Sequence, residues 1–404
     1  MKRIAPILLL GSLLACTSSK TTMETASTTS SAATSPLATS PLATHVEEVR
    51  KQFAPDKRTV LFDVTAKENG VLAGETIVPE AKAALLNKLK AANLPYTDSI
   101  QVLPEAELEG KHYAVVTLSV ANIRSQPKHP AELATQATMG TPLKVWKKQS
   151  GWYLVQTPDH YLAWVDGAGV KLMTKAEMDA WQQGEKLIYT KPYGFALAST
   201  DKQGATVSDL VYGDVMVLKN KSKDFFEVNF PDGRTGFIPS SEAILYKDWI
   251  ASRQPTENNL VQTSKQLMGL PYLWGGTSFK GVDCSGFTKT VYFMNGIVLP
   301  RDASQQIEVG ELVDTDKNWD NLKPGDLLFF GVPAKDGKSE RVVHVGMWIG
   351  GDKEFIHSAG RVRVSSMNPG AANYDEFENN RYLRTKRPTP GPNLLDLRAS
   401  SIYE

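Results

Sequence analysis

The 404-residue chain is poor in cysteine, in net charge and in long apolar runs, and each shortage removes a class of protein. It has two cysteines, Cys16 and Cys284, so no disulfide framework holds it together. Its formal net charge is +1, with 45 basic and 44 acidic side chains, which gives no basic surface for nucleic acid. The one extended apolar run, residues 4–14, is interrupted by Pro6, Gly11 and Ser12. It is too short to cross a bilayer as an ordinary helix. A chain this long exceeds what one compact core supports, so two to four domains are expected.

That apolar run follows Lys2 and Arg3 and ends in Leu13-Leu14-Ala15-Cys16. Small residues before a cut are a secretory signature, and the cysteine straight after them resembles the bacterial lipoprotein lipobox. The resemblance implies a leader over residues 1–15, acylation of Cys16, and an exported protein held to a bacterial membrane by lipid alone, facing periplasm or cell surface. A plain signal peptide with an incidental cysteine is the other reading. If Cys16 is acylated, Cys284 is the one remaining thiol, and a lone thiol in an oxidising compartment asks for a reason.

Composition divides the rest. Residues 16–45 are rich in Ser, Thr and Ala and read as a flexible tether. Residues 46–110 read as a small α/β unit, with strands near Val60-Leu61-Phe62-Asp63-Val64 and Ile100-Gln101-Val102-Leu103 and a helix over 79–92. Residues 111–180 and 181–250 each carry short aromatic β-runs between turns, which predicts two copies of a small all-β unit. Residues 251–387 mix helical stretches with strands of an antiparallel sheet, and residues 388–404 form a proline-rich tail. The expected class is α+β.

Chemistry concentrates around Gly281-Val282-Asp283-Cys284-Ser285-Gly286-Phe287, where a glycine-containing loop runs into a helix expected over 285–295. A thiol at a helix N-terminus is favoured as thiolate by free N–H groups and the helix dipole. A nucleophilic thiol needs a base. His344 and His357 lie on two expected strands, with Gly350-Gly351 between them. A two-residue turn there sets the histidines directly opposite each other; a loop two residues longer makes them diagonal neighbours, still on one side of the sheet. Either arrangement predicts a relay in which His344 serves Cys284 and His357 orients His344. Core packing by a lone cysteine and a strand histidine is the competing reading. Zinc held by Cys284, His344 and His357 is another, but no short paired-ligand spacing is present, so no metal or other cofactor is called for.

Five motifs follow one another in order. They are Pro271-Tyr272-Leu273-Trp274-Gly275-Gly276, Asp283-Cys284-Ser285-Gly286-Phe287, Pro300-Arg301-Asp302-Ala303-Ser304-Gln305-Gln306, Leu322-Lys323-Pro324-Gly325-Asp326-Leu327 and His344-Val345-Gly346. Together they resemble the NlpC-type family of papain-like cell-wall cysteine peptidases. The resemblance implies a papain-like domain with Cys284 as nucleophile, His344 as base and His357 as third member. Residues 121–124, 140–143 and 151–153 resemble bacterial SH3-like barrels, and the second β unit resembles them more weakly. With two such barrels, the chain resembles γ-D-glutamyl-L-diamino acid endopeptidases that act on stem peptides with a free N-terminal L-alanine. That resemblance implies that Glu132, Tyr161 and Asp302 hold the substrate ammonium. It places Tyr272, Asp283, Ser285 and Arg301 around the γ-D-Glu pocket. Ala303 stands where the family pattern often has serine. The implied partners are peptidoglycan stem peptides, and a monomer is expected. An amidase cutting between muramic acid and L-alanine, and a non-catalytic wall-binding lipoprotein, are the alternatives.

Overall fold

A computed structural model describes residues 40–201, 203–389, 391 and 394–403. The lipidation candidate Cys16 and most of the expected tether lie outside the described residues. No helix among the described residues is long and apolar enough to cross a membrane. The tether expected to residue 45 ends sooner, because helix α1 (Pro41–Phe53) begins inside it. Ser40 caps that helix, its hydroxyl accepting from the Ala43 N–H, and Pro41 fits the first turn, where its missing donor costs nothing. Val46 and Val49 are then buried, which polar tether composition upstream does not anticipate.

Helix α1 packs on a three-stranded sheet of β1 (Phe62–Ala66), β2 (Val71–Thr76) and β3 (Thr97–Val102), with α2 (Pro79–Ala91) crossing from β2 to β3. Strand β1 pairs antiparallel with β2, and β2 parallel with β3. The helical spacing of Ala81, Leu85 and Leu89 buries all three completely. Central strand β2 was not anticipated. Its Gly74, at φ +131, interrupts the apolar alternation, and an added Cβ would fall 1.8 Å from the Asp63 carbonyl oxygen.

Next come two seven-stranded antiparallel sheets. The first contains β4 (Tyr113–Val116), β5 (Val120–Arg124), β6 (Leu133–Thr138), β7 (Pro142–Gln149), β8 (Trp152–Gln156), β9 (Leu162–Asp166) and β10 (Val170–Met173). Helix α3 (Lys175–Gln183), opened by a Thr174–Glu177 capping box, leads to the second. That sheet contains β11 (Lys186–Tyr189), β12 (Tyr193–Leu197), β13 (Thr206–Val211), β14 (Val215–Lys221), β15 (Phe225–Asn229), β16 (Thr235–Pro239) and β17 (Ala243–Leu245). The orders are β10-β4-β7-β8-β9-β5-β6 and β17-β11-β14-β15-β16-β12-β13, which is one topology twice. Even the irregularities recur: β7 slips against β8 between Val145 and Lys147, and β14 against β15 between Leu218 and Asn220. Such bulges sharpen strand bending and twist, which suits a tightly curled sheet. Asp214 joins the sheets, accepting from the N–H groups of Met139 and Val211 at 3.0 and 2.9 Å.

Helices α4 (Tyr246–Ala251) and α5 (Glu257–Gln266) lead into the last unit. Two-residue strands β18 (Thr277–Ser278) and β19 (Gly281–Val282) bracket the turn before α6 (Cys284–Phe293). Strand β20 (Ile297–Val298) and helix α7 (Ala303–Gln306) follow. A six-stranded sheet closes the fold, with β21 (Glu311–Asp314), β22 (Leu327–Val332), β23 (Arg341–Gly350), β24 (Glu354–Ala359), β25 (Arg361–Ser366) and β26 (Tyr382–Arg387) in the order β21-β26-β22-β23-β24-β25. Helix α8 (Glu376–Asn380) lies between β25 and β26 in the chain. Phe287 and Val291 of α6 share one core with Leu327, Phe329, Val345, Met347 and Ile356 of the sheet. Burying such side chains contributes about 1.5–3 kcal/mol each, which fixes α6 on the sheet face. The tail is docked: β27 (Leu395–Asp396) pairs with β20, and Tyr403 packs on Tyr246 at 5.2 Å between ring centroids.

Candidate active site

Cys284 is the first residue of α6 and Asp283 is its N-cap. The Asp283 carboxylate accepts from the Gly286 N–H at 2.7 Å and from the Gly275 N–H at 2.9 Å. It also takes a two-pronged ion pair from Arg301, at 2.6 and 3.2 Å, and the Ser285 hydroxyl at 3.3 Å. Arg301 is 1 % exposed and donates a further bond to Ser285 Oγ at 3.0 Å, while its Nε has no partner. Asp283, Ser285 and Arg301, expected to line a substrate pocket, thus bond to one another and brace the start of α6. The glycines beside them leave no alternative packing: a Cβ on Gly286 would meet the Gly276 carbonyl oxygen at 1.9 Å.

Cys284 is 8 % exposed, and the backbone N–H groups of Ser285 and Val345 lie close enough to favour its thiolate. Since Val345 follows His344 on β23, the sulfur lies against the strand that carries the expected base. Burial, and then the Asp283 charge, push the thiol up to about 12. The helix terminus was expected to favour thiolate; here desolvation and the neighbouring carboxylate outweigh it, and the thiol is neutral at pH 7. Tyr272 lies close enough for the Cys284 charge to raise its hydroxyl, behind burial as the larger cause.

The loop between β23 and β24 has three residues, 351–353, one more than the two-residue turn and one fewer than the longer alternative, and a register slip makes up the difference. Met347 pairs with Ile356 and Trp348 with Phe355, and the register slips before Gly350 meets Glu354. Continuing that register sets Gly346, not His344, opposite His357, so the histidines are diagonal neighbours on one face. Their rings meet, with His344 Nε2 and His357 Nδ1 2.8 Å apart. His357 Nε2 lies 3.0 Å from Ser365 Oγ, and the Ser365 hydroxyl donates to Asp375 Oδ2 at 3.2 Å. The carboxylate can only accept, so the chain has one consistent direction. Ser365 donates to Asp375, His357 donates from Nε2 to Ser365, and His344 donates from Nε2 to His357. His344 Nδ1 is left unprotonated, the form a general base requires.

Burial favours the neutral form of both rings. Burial, then the His357 charge, hold His344 well below the usual histidine range. Burial, then Arg363 and Arg381, bring His357 down to about 3. Glu378 Oε1 comes within 3.6 Å of His344 Nε2, and ligand atoms of His344, His357 and Glu378 all lie within 4.8 Å of one another. The ring-to-ring bond and the two-pronged Arg381–Glu378 pair, at 2.8 and 2.6 Å, engage those atoms with one another.

The residues expected to hold an ammonium fall into two contacts. The Tyr161 hydroxyl donates to Asp302 Oδ2 at 3.1 Å, joining the first sheet to the N-cap of α7. Glu132 Oε1 accepts from Trp274 Nε1 at 2.7 Å, and that indole is 61 % exposed. Asp302 has another partner that motif reading missed, Arg58, whose Nη1 donates to Oδ2 at 2.8 Å.

The NlpC/P60 family model matches residues 269–379, and the bacterial SH3 domain model matches residues 119–171. The gamma-D-glutamyl-L-lysine dipeptidyl-peptidase of Bacillus cereus is 31 % identical over 233 residues, covering 56 % of this chain and 67 % of that protein. The enzyme of the same name from Bacillus subtilis is 31 % identical over 234 residues, covering 56 % and 72 %. The chain belongs to the NlpC/P60 family. A crystal structure of an NlpC/P60 family protein from Bacillus cereus superposes with a TM-score of 0.58 at 25 % identity, covering 69 % of this chain and all of that one. Its membership makes this chain a peptidase of the cysteine type.

Within the NlpC/P60 domain, motif reading missed Ser365, Asp375 and Glu378. One local signal was available. Asp375-Glu376-Phe377-Glu378 has the spacing of a capped helix start, and the Asp375 side chain does accept from the Glu378 N–H. Nothing in that spacing announces that the same carboxylate ends the hydrogen-bonded row His344–His357–Ser365.

Proposed function

We propose that the chain is a cell-wall peptidase that cleaves the γ-D-glutamyl–L-diamino acid bond of peptidoglycan stem peptides bearing a free N-terminal L-alanine. The two relatives named gamma-D-glutamyl-L-lysine dipeptidyl-peptidase support the bond, and Tyr161 meeting Asp302 supports the amine. The observation that carries the reading is Cys284 at the start of α6, packed with Val345 of the strand that bears His344, whose Nε2 is engaged by His357 Nδ1 at 2.8 Å. Cys284 Sγ attacks the γ-carbonyl carbon as His344 Nδ1 takes the thiol proton. Backbone N–H groups at the start of α6 stabilise the oxyanion, and collapse gives the proton from His344 to the leaving amine. Water, deprotonated by the same ring, then releases L-Ala-γ-D-Glu from the thioester. Tyr272 lines the acyl side of the cleft, with Asp283, Ser285 and Arg301 beneath it, and Glu132 joins Asp302 at the ammonium. The second sheet is read as another SH3-like barrel because it repeats the topology of the first.

The test is product analysis by mass spectrometry on L-Ala-γ-D-Glu-meso-diaminopimelate and its L-lysine counterpart. Cleavage between glutamate and the diamino acid is expected, with none in Cys284→Ala. Unchanged turnover in that variant would sink the mechanism. We further infer export and acylation at Cys16 from Leu13-Leu14-Ala15-Cys16. Cells fed labelled palmitate should label the natural protein and not Cys16→Ala; equal labelling would reject the anchor.

A further inference from the structure

We infer that Arg58, from the N-terminal α/β unit, is a specificity-determining residue that competes with the substrate's ammonium for Asp302. The inference rests on the amine reading proposed above. Arg58 Nη1 donates to Asp302 Oδ2 at 2.8 Å and to Ser304 Oγ at 2.8 Å. The Tyr161 hydroxyl reaches that same carboxylate oxygen at 3.1 Å. A guanidinium therefore already sits on the group meant for an alkylammonium.

The placement of Arg58 is built, not incidental. Its Nε and Nη2 donate to the two oxygens of Asp56, both at 2.8 Å, and Gln305 Nε2 of α7 donates to Asp56 Oδ2 at 2.7 Å. Its backbone carbonyl accepts from the Leu162 N–H at 2.7 Å, and the next carbonyl, of Thr59, accepts from Gln156 Nε2 at 2.9 Å. The loop is thus pinned to strands β8 and β9 on one side and α7 on the other. An Asp56–Arg58–Asp302 row results, in which one cation bridges two carboxylates.

An ammonium approaching Asp302 meets a carboxylate partly neutralised and a fixed positive charge beside it, and both weaken its binding. The guanidinium is not sealed in. Its side chain is 34 % exposed and borders a cavity of about 790 Å³ lined also by Lys144, Trp146, His160 and Glu308, which leaves room for it to swing aside. Recognition of the free amine is then an exchange of one cation for another on Asp302. Removing the Arg58 charge should strengthen amine binding. Removing the Asp56 charge should weaken it, by leaving Arg58 with Asp302 alone.

The experiment measures affinity by calorimetry on the full chain, using L-Ala-γ-D-Glu and its N-acetyl form, neither of which contains the scissile bond. Arg58→Gln should lower Kd for the free-amine dipeptide by roughly fivefold, the upper end for one partly exposed ion pair, and leave the acetylated form unmoved. Arg58→Lys keeps the charge but loses the fork that Asp56 holds, so its Kd should fall between those of the natural protein and Arg58→Gln. Asp56→Asn should raise Kd about threefold by the same reasoning, and it stands as the test if Arg58→Gln does not fold. An unchanged or raised Kd in Arg58→Gln, or an unchanged Kd in Asp56→Asn, overturns the inference, as does failure of the natural protein to bind the free-amine dipeptide. Tripeptide cleavage is scored separately. If the charge variants respond as expected while the tripeptide stays intact, the catalytic reading falls and the role of Arg58 stands.

Discussion

Replacing Asp283 by asparagine should move stability and thiol reactivity in opposite senses. The carboxylate holds Arg301, which is 1 % exposed, through bonds of 2.6 and 3.2 Å. Asparagine keeps an oxygen for the Gly286 N–H, so most of the helix cap survives. It removes the carboxylate bonded to a buried guanidinium, leaving Asp302 as a more distant counter-charge. Stranding one partner of such a pair costs about 3–5 kcal/mol. That corresponds to a fall of roughly 10 °C in Tm for a unit of this size. The thiol should respond the other way. Burial is the larger cause of its raised pKa, the Asp283 charge is the next, and Arg301 works against both. Without the Asp283 charge, Arg301 draws the thiol down more strongly, and a drop of about one unit multiplies the thiolate tenfold. The assay is alkylation of Cys284 by iodoacetamide as a function of pH, run well below Tm, with tryptophan fluorescence confirming the folded state. The profile should shift to lower pH in Asp283→Asn. Adding Arg301→Met should restore part of the lost stability and return the profile towards high pH. A profile that stays put, or Tm values that add without coupling, would refute the electrostatic account of this helix start.

On the proposed mechanism His357 holds the base in its working tautomer, so His357→Ala should lower kcat by about 10–100-fold with little change in KM; a change confined to KM would contradict that role. Acid should unfold the catalytic unit early. His344 and His357 bind protons in the unfolded chain below about pH 6.5 but resist them when folded, so each costs about 1.4 kcal/mol per pH unit as pH falls from there towards their lowered folded values. Urea midpoints that stay flat between pH 6.5 and 4.5 would show that the rings are not held neutral.

What was readable in the sequence was local, and what was not depended on distant partners. A glycine loop, an aspartate and a cysteine announce a capped helix start, and α6 begins there because Asp283 can accept from Gly286 three residues on. The strands around Gly350-Gly351 announce a hairpin, and pleating alone puts His344 and His357 on one face whichever turn forms. The direct pairing failed because the loop is longer and the register slips near Gly350, a choice that one face of a strand does not record. The thiol's protonation state also escaped local reasoning. The helix dipole is a property of α6, whereas the opposing desolvation comes from strands more than fifty residues later in the chain. Arg58 is the extreme case, since it stands 244 residues from Asp302 and belongs to no motif. Ionic pairing across that separation leaves no periodicity and no spacing, only two opposite charges among 89. It follows that motifs can point to a candidate nucleophile and base, while the groups proposed to tune them and choose the substrate emerge only when distant segments are brought together.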